Sequence, residues 1–310
     1  MDLALAIVRA AHLAAAIALF GQLAFRHAVS PGRARPPRFG AVAGWSLAVA
    51  GASAIAWLGI EAQEMSGLAL REALMPRTLG MVLARTLFGE LWLARMAILA
   101  LLAASIAILS REKRDEVPAW AWLSALVLAL VLLATVAGTG HAAAARGTER
   151  AVRLVVDGLH LLAAGAWLGA LPPLVLVIGA AMREGDAGAF DHAREATRRF
   201  SALGIASVGT LLLSGVINAT YTLHGFAALL EPGYGMLLAA KLALFLVMVG
   251  FAAVNRMWLT PRLAASAGQA RASLRIVRRN AIVELVLGIG IVCIVGQLGI
   301  TMPATPARVE

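Results

Sequence analysis

The sequence is poor in the residues on which soluble and secreted proteins depend. Of its 310 residues only 14% are charged and 6% aromatic, and cysteine occurs once, at Cys293. A single cysteine excludes an intrachain disulfide framework and a metal site built from several thiolates of one chain. The chain is 61% hydrophobic with a mean hydropathy of +0.83, which excludes a water-soluble globule. The composition therefore predicts an integral membrane protein.

Long apolar runs predict an all-α fold with eight transmembrane helices. A bilayer core of about 30 Å needs roughly 20 apolar residues per helix. Runs of that length lie near residues 3–26, 39–60, 88–109, 118–138, 152–178, 200–223, 235–258 and 280–300. The first run is too long for a signal peptide and lacks a basic flank, so we expect it to be a retained span. The connection 61–87 alternates apolar and charged residues, which predicts an amphipathic segment at the membrane interface.

The distribution of basic residues predicts the orientation of these spans. The connections that follow spans one, three, five and seven contain fifteen Lys and Arg residues, whereas the other connections and the carboxyl tail contain six. By the positive-inside rule, the Arg-rich connections are cytoplasmic and both termini face the periplasm. The formal net charge of +10 is therefore explained by topology. We expect no nucleic-acid partner, because the basic residues lie between apolar runs.

The two halves of the sequence resemble each other. The segment "AHLAAAIALFG", which ends at Gly21, aligns with "LHLLAAGAWLG", which ends at Gly169. This alignment places His12 on His160. Four spans separate the two segments, so both have the same orientation, and a pseudo-two-fold axis along the membrane normal is expected to relate them.

A second alignment supports the repeat. "FGELWLARMAIL" aligns with "YGMLLAAKLALF", which places Arg95 on Lys241. We therefore expect two four-helix halves, formed by residues 1–138 and 139–310.

Ionisable residues within the spans form a candidate site. Each costs about 2.5–3.5 kcal/mol at the bilayer centre, so such residues should face the bundle interior and find partners. These residues are Arg9, His12, Arg95, Asp157, His160, Lys241 and Glu284. By helical rise, all of them except Glu284 fall in the outer half of the membrane. Asp157 and His160 share one helix face at i and i+3. If helices one and five meet at the pseudo-axis, His12 approaches His160.

These ionisable residues of the outer half, which we call the polar layer, have two interpretations. In the first, the charges neutralise each other and the histidines only fix helix packing. In the second, the two neutral imidazoles and Asp157 bind a transition ion that arrives from outside, either with the carboxylate as a ligand or with the carboxylate orienting an imidazole. Imidazole suits copper, zinc, iron or nickel, so residue type alone does not choose the metal. His141 lies on the same outer side, where helix four ends.

Several segments resemble the copper resistance protein D (CopD) family of bacterial inner-membrane proteins. They are "TGHA" from Thr139, "DGLHLLAAGAWLGAL" from Asp157, "RFSALG" from Arg199, "YGMLLAAKLAL" from Tyr234 and "NR" at Asn255. The resemblance implies copper transport across the inner membrane, with a separate periplasmic copper-binding partner of the CopC type. It also implies that His160 and Asp157 lie on the copper route, with His141 as an entry ligand. His12 joins them through the repeat.

Two alternatives to copper transport stay open on the sequence. A b-type cytochrome would use His12 and His160 as axial ligands of a haem, and a structural or sensory subunit would use the polar layer only for packing. The sequence has no Walker motif, so we expect neither ATP-driven pumping nor an enzyme. Beyond this layer only Glu284 and Cys293 are candidate ligands, and because Cys293 lies in the outer half of the last span, they define no exit path.

Overall fold

The fold is a bundle of long helices. The computed structural model describes residues 2–31, 37–111, 117–138, 147–223 and 225–302, and within these ranges it contains no strand. The α-helices are α1 (Asp2–Ala24), α2 (Phe39–Ser66), α3 (Leu70–Ala73), α4 (Pro76–Arg85), α5 (Leu87–Arg111), α6 (Ala119–Ala137), α7 (Gly147–Leu168), α8 (Leu171–Glu184), α9 (Ala187–Thr222), α10 (Tyr234–Val254) and α11 (Ala267–Leu298).

Eight stretches of the described chain are long and apolar enough to cross a membrane. They correspond to α1, α2, α5, α6, the pair α7 and α8, α9, α10 and α11. The predicted all-α, multi-pass membrane architecture is therefore confirmed. The orientation of the termini and the two-part division of the chain stay predictions.

Two helices begin well before the apolar runs that revealed them. The sequence predicted spans starting near residues 200 and 280, but α9 begins at Ala187 and α11 at Ala267. The added turns are rich in charged residues, which a search for apolar runs does not detect. In α9 they are stabilised by a cap, because the Asp186 carboxylate accepts a hydrogen bond of 2.8 Å from the Ala189 amide.

The fifth predicted span is two helices. Helix α7 ends at Leu168 and α8 begins at Leu171, whereas the sequence predicted one helix over 152–178. Pro172 and Pro173 in the first turn of α8 have no amide hydrogen, so the ladder of α7 cannot run through them.

The 61–87 connection is largely helical. Helix α2 continues to Ser66, and α3 and α4 follow. In α4, Thr78 and Val82 are buried while Met81 is exposed, which gives the helix the two faces predicted from the sequence. Its position at a membrane interface stays a prediction.

Helix α1 is the centre of the bundle. One cluster of buried apolar side chains joins α1 with α2, α5 and α6, and a second joins α7, α8, α9 and α11. Between them α1 crosses α7, and the backbones of Gly21 and Gly169 touch at the crossing. A Cβ atom on Gly21 would collide with the backbone of Gly169, and one on Gly169 would collide with the Ile17 carbonyl oxygen. These are the two glycines that the sequence alignment placed on one another.

We predict that Gly169→Ala destabilises the protein. The new methyl group would push α1 away from α7, and overpacking of this kind costs about 1–3 kcal/mol. Thermal unfolding of the purified protein in detergent measures the loss. The control is Gly204→Ala in α9, where an added Cβ meets nothing within 4 Å. Equal unfolding temperatures for the two variants would contradict the prediction.

Candidate metal site

His12 is completely buried against α2. Its Nδ1 atom lies 3.1 Å from the Ala50 carbonyl oxygen and 3.2 Å from the Ser53 hydroxyl oxygen. The carbonyl can only accept, and the Ser53 hydroxyl already donates to Val49 at 2.6 Å, so Nδ1 carries the proton. Nε2 is then the nitrogen with a lone pair, and it has no hydrogen-bond partner. The ring is fixed on one side and presents a ligand atom on the other.

His160 repeats this arrangement on α9. Its Nδ1 atom lies 2.9 Å from the Ser214 hydroxyl oxygen, and that hydroxyl donates to the Thr210 carbonyl at 2.6 Å. Nδ1–H is therefore the donor, and Nε2 again carries the lone pair. Within the described residues, Nε2 of His160 makes no hydrogen bond. Both histidines thus have the same tautomer, and each is held by a serine of the span that follows its own.

The residues at corresponding positions around the two histidines differ. Arg9 stands three residues before His12, and Asp157 stands three residues before His160. Trp57 follows Ser53 by four residues, and Asn218 follows Ser214 by four. The positions correspond, but the chemistry does not.

The His12 environment contains charges of both signs. The guanidinium carbons of Arg9 and Arg95 lie 5.1 and 5.2 Å from the centroid of the Trp57 ring, and the His12 ring meets the same indole edge-on at 5.8 Å. Arg95 is only 1% exposed and donates to the carbonyl oxygen of Thr135 at 2.7 Å.

Two acids accompany these two cations. The Trp57 indole donates to the Glu61 carboxylate at 2.9 Å, and Glu61 and Glu64 lie within electrostatic reach of Arg9. The formal charges around His12 are therefore balanced.

The His160 environment is close to neutral. Asp157 accepts a hydrogen bond of 2.6 Å from the Asn218 amide, and Lys241 lies within electrostatic reach of both Asp157 and His160. The carboxylate and the ammonium cancel formally. Each histidine thus has one basic side chain within electrostatic reach, Arg95 at His12 and Lys241 at His160.

The predicted site residues are only partly brought together. Asp157 and His160 both bond to α9, whereas His12 bonds to α2, so the two histidines do not share a hydrogen-bond partner. In the part of the chain that the structure describes, no three His, Cys, Asp or Glu side chains lie close enough to hold a metal ion. His141 lies outside the described residues. The four-residue site therefore stays a prediction.

Sequence reasoning missed the two serines. Ser53 and Ser214 are polar residues inside apolar runs at corresponding positions of spans two and six. A repeat alignment extended from the first and third spans of each half to the second would have identified them.

We predict an energetic coupling between Asp157 and Lys241. Asp157→Ala removes a counter-charge of Lys241 inside the membrane and should lower the free energy of unfolding by roughly 3 kcal/mol. Lys241→Met should also destabilise, and the double variant should lose clearly less than the sum of the two. Thermal unfolding in lipid nanodiscs measures all three.

The control for this cycle is Glu149→Ala. Glu149 pairs with Arg153 on the same helix, but its side chain is 51% exposed, so its loss should cost less than about 1 kcal/mol. Strictly additive effects at Asp157 and Lys241 would contradict the coupling.

Two family models match the chain. The model for the copper resistance protein D-like N-terminal domain covers residues 1–152, and the model for copper resistance protein D covers residues 194–298. No solved structure is significantly similar to the chain.

Three curated proteins are similar over about 70% of the chain. Copper resistance protein D of Pseudomonas syringae pv. tomato is 34% identical over 233 residues, which are 72% of each protein. Inner membrane protein YebZ of Escherichia coli is 32% identical over 71% of this chain and 69% of YebZ. Copper transport protein CutJ of Bacillus subtilis is 30% identical over 68% of this chain, but the match spans only 38% of CutJ. With its eight spans, the chain therefore belongs to the copper resistance protein D family.

Proposed function

We propose that the protein transports copper ions across the bacterial inner membrane and thereby contributes to copper uptake, homeostasis or resistance. Membership of the copper resistance protein D family supports this proposal, as do the names of the relatives, which include a copper transport protein and an inner membrane protein. The eight apolar spans supply the membrane setting that such transport needs. Neither of the matched family descriptions refers to haem, so the cytochrome alternative has no support.

The state of the two histidines is the observation that carries the proposal. Metal-bound histidines typically donate one ring N–H to an oxygen, which fixes the ring and leaves the other nitrogen for the metal. His12 and His160 both have this arrangement, with Ser53 and Ser214 as the oxygen partners. A histidine that served only for packing would more commonly use both nitrogens when buried, but His12 Nε2 has no partner.

Charge distinguishes the roles of the two histidines. His160, with Asp157 beside it, is the main copper site in this proposal, because the Asp157 carboxylate offsets the charge of an arriving cation. His12 is a second and weaker site, because Arg9 stands where Asp157 stands in the other site, and the nearby acids lie by Arg9 and Trp57. His141 is the entry ligand on the periplasmic side, on which both termini also lie.

The sequence has no Walker motif, so in this proposal ATP does not drive transport, and any coupling comes from ion gradients. We assign the protein no enzymatic reaction. Copper arrives from a separate periplasmic protein of the CopC type. The Asp157 carboxylate and the His160 imidazole take the ion, and the halves rearrange around the α1–α7 crossing to pass it on.

We predict that copper content depends on the two histidines unequally. Protein purified with copper in lipid nanodiscs should bind the metal, His160→Ala should lose most of it, and His12→Ala should lose less. The control is His27→Ala in the first span, whose Nδ1 bonds to the Leu23 carbonyl at 2.9 Å and which is not part of the polar layer. Elemental analysis gives the stoichiometry. Unchanged copper in His160→Ala would reject the proposed site.

We also predict that Ser214 controls copper affinity without touching the metal. Ser214→Ala removes the oxygen that orients His160 and should weaken copper binding about 10- to 100-fold. Ser214→Thr keeps a hydroxyl and should restore most of the affinity. Ser207→Ala, at a buried serine of the same helix, is the control. Titration with a competing chelator measures each affinity, and equal values for the alanine variants would show that the Ser214 hydroxyl does not act on the site.

A further inference from the structure

A second buried polar cluster lies away from the histidines. Its members are Glu284 and Asn280 on α11, Asn255 at the end of α10 and Trp167 on α7. Glu284 is 1% exposed, and Asn280 and Trp167 are each 2% exposed. We call these four residues the Glu284 cluster.

The Glu284 cluster lies toward the opposite end of the bundle from Arg9. Gly299, at the end of α11, packs against the Arg9 guanidinium, and Glu284 stands fifteen residues earlier on the same helix. At 1.5 Å per residue this separation is about 22 Å. Along α7, Trp167 is seven residues from His160, or about 10 Å. The cluster is therefore a site of its own, connected to the candidate copper site by one helix.

Hydrogen bonds run through this cluster in one direction. The Asn280 amide donates to the Asn255 side-chain oxygen at 2.8 Å, and the Asn255 amide donates to Glu284 Oε1 at 2.9 Å. Two acceptors then have no partner in the structure, Asn280 Oδ1 and Glu284 Oε2. The Trp167 indole lies beside the Glu284 carboxyl, but its Nε1 also lacks a hydrogen bond of good geometry.

One proton resolves this shortage of donors. Asn280 and Glu284 are i and i+4 on α11, so their side chains lie on the same face of the helix. A hydrogen on Glu284 Oε2 would let the carboxyl donate to Asn280 Oδ1, which closes a ring of three hydrogen bonds. If both amides are turned over, the ring runs the other way and again needs one hydrogen on the carboxyl. The two remaining atoms, Glu284 Oε2 and Asn280 Oδ1, are both acceptors, so a hydrogen bond between them needs a hydrogen on the acid.

No positive charge in the described chain balances a Glu284 carboxylate. None of the ion pairs in that part involves it. The charged side chains of the surrounding elements lie elsewhere. Arg256 donates to the Ser201 hydroxyl and Arg278 to the Val175 carbonyl. Arg183 lies by Gly179 and Arg9 by Gly299, and Asp157, His160 and Lys241 belong to the polar layer. An unpaired carboxylate at this burial is costly, whereas a neutral acid in a closed ring is not.

The backbone at Asn255 is also irregular. A π-helical turn, Asn255–Leu259, follows α10, and the Asn255 carbonyl accepts from both the amide and the hydroxyl of Thr260 at 2.8 Å. Single π-helical turns occur frequently at functional sites, since they rotate a side chain out of the regular helical position. Here the turn begins at the residue that joins Asn280 to Glu284.

We propose that the Glu284 cluster is a proton-binding site, in which the Glu284 carboxyl holds one exchangeable proton between Asn255 and Asn280. The role of this proton rests on the proposed copper transport. When copper occupies the site at His160, the carboxyl O–H bond breaks and the proton passes to water at that end of the bundle, from which it returns when copper has passed. The ligand is the proton itself, and no redox step is involved.

Infrared spectroscopy tests the site without copper. The wild-type protein in lipid at neutral pH should show the carbonyl stretch of a buried, protonated carboxyl, and Glu284→Gln should lose that band. Glu231→Gln, at an exposed acid, should keep it. A spectrum of Glu284→Gln that retains the whole band would overturn the proposal.

A second variant guards against misfolding of Glu284→Gln. Asn280→Ala removes the oxygen to which the carboxyl donates, so the band should shift in frequency while its intensity is retained. A band at the wild-type frequency in Asn280→Ala would show that the ring does not close, and would overturn the proposal.

Transport measurements distinguish this proposal from the proposed function. In proteoliposomes, copper uptake by the wild type should change several-fold across a transmembrane pH difference, and Glu284→Gln should be slower and lose this dependence. A wild type that shows the carboxyl band but moves no copper would reject the transport function and leave the proton site standing. A wild type that moves copper with no response to pH would reject the coupling.

Discussion

In an apolar bundle within a bilayer, every polar side chain must find its partner within the protein. Water is not present to solvate a stray charge, and an unsatisfied polar group costs several kcal/mol. This constraint explains the contacts of the polar layer. Arg95 reaches across to the Thr135 carbonyl, both histidines reach to serines that are themselves bonded to their own helix, and Asp157 takes the Asn218 amide. The few atoms that escape the rule, such as His12 Nε2 and Glu284 Oε2, are therefore the most informative in the molecule.

The surroundings of His12 and His160 show how similar polar contacts can support different chemistry. Each histidine bonds to a serine of the next span, Ser53 or Ser214, and each has a basic residue within electrostatic reach, Arg95 or Lys241. Exchange of one residue three positions before the histidine, Arg9 for Asp157, changes the local charge by two units. The first half then gathers two guanidiniums around an indole, and the second pairs an ammonium with a carboxylate. In the first, Glu61 and Glu64 lie near Arg9, whereas in the second the acid, Asp157, stands on the same helix as the histidine, so the two histidines meet an arriving cation differently.

The sequence predicted the coarse architecture because hydropathy depends on composition, not on contacts. Eight spans, their approximate places and the ionisable residues within them follow from runs of apolar residues. The extra turns of α9 and α11 did not follow, because charged residues outside the bilayer form helix equally well. The Ser53 and Ser214 contacts also escaped prediction, because they depend on the rotation of each helix about its axis. In spans that are apolar on all sides, no periodic pattern records that rotation.

Helix α7 gives the two proposed sites a physical connection. It has His160 on one turn and Trp167 two turns later, about 10 Å along the axis, and it ends directly afterwards at the glycine that crosses α1. Two unit charges about 10 Å apart interact by roughly 1.7 kcal/mol at an effective dielectric of about 20. A copper ion at His160 and a proton at Glu284 would disfavour each other through repulsion of this kind without any movement of the backbone. Linkage is reciprocal, so the repulsion that expels the proton when copper arrives also lowers the copper affinity when the proton returns. The exchange of one cation for the other therefore needs no second conformational signal.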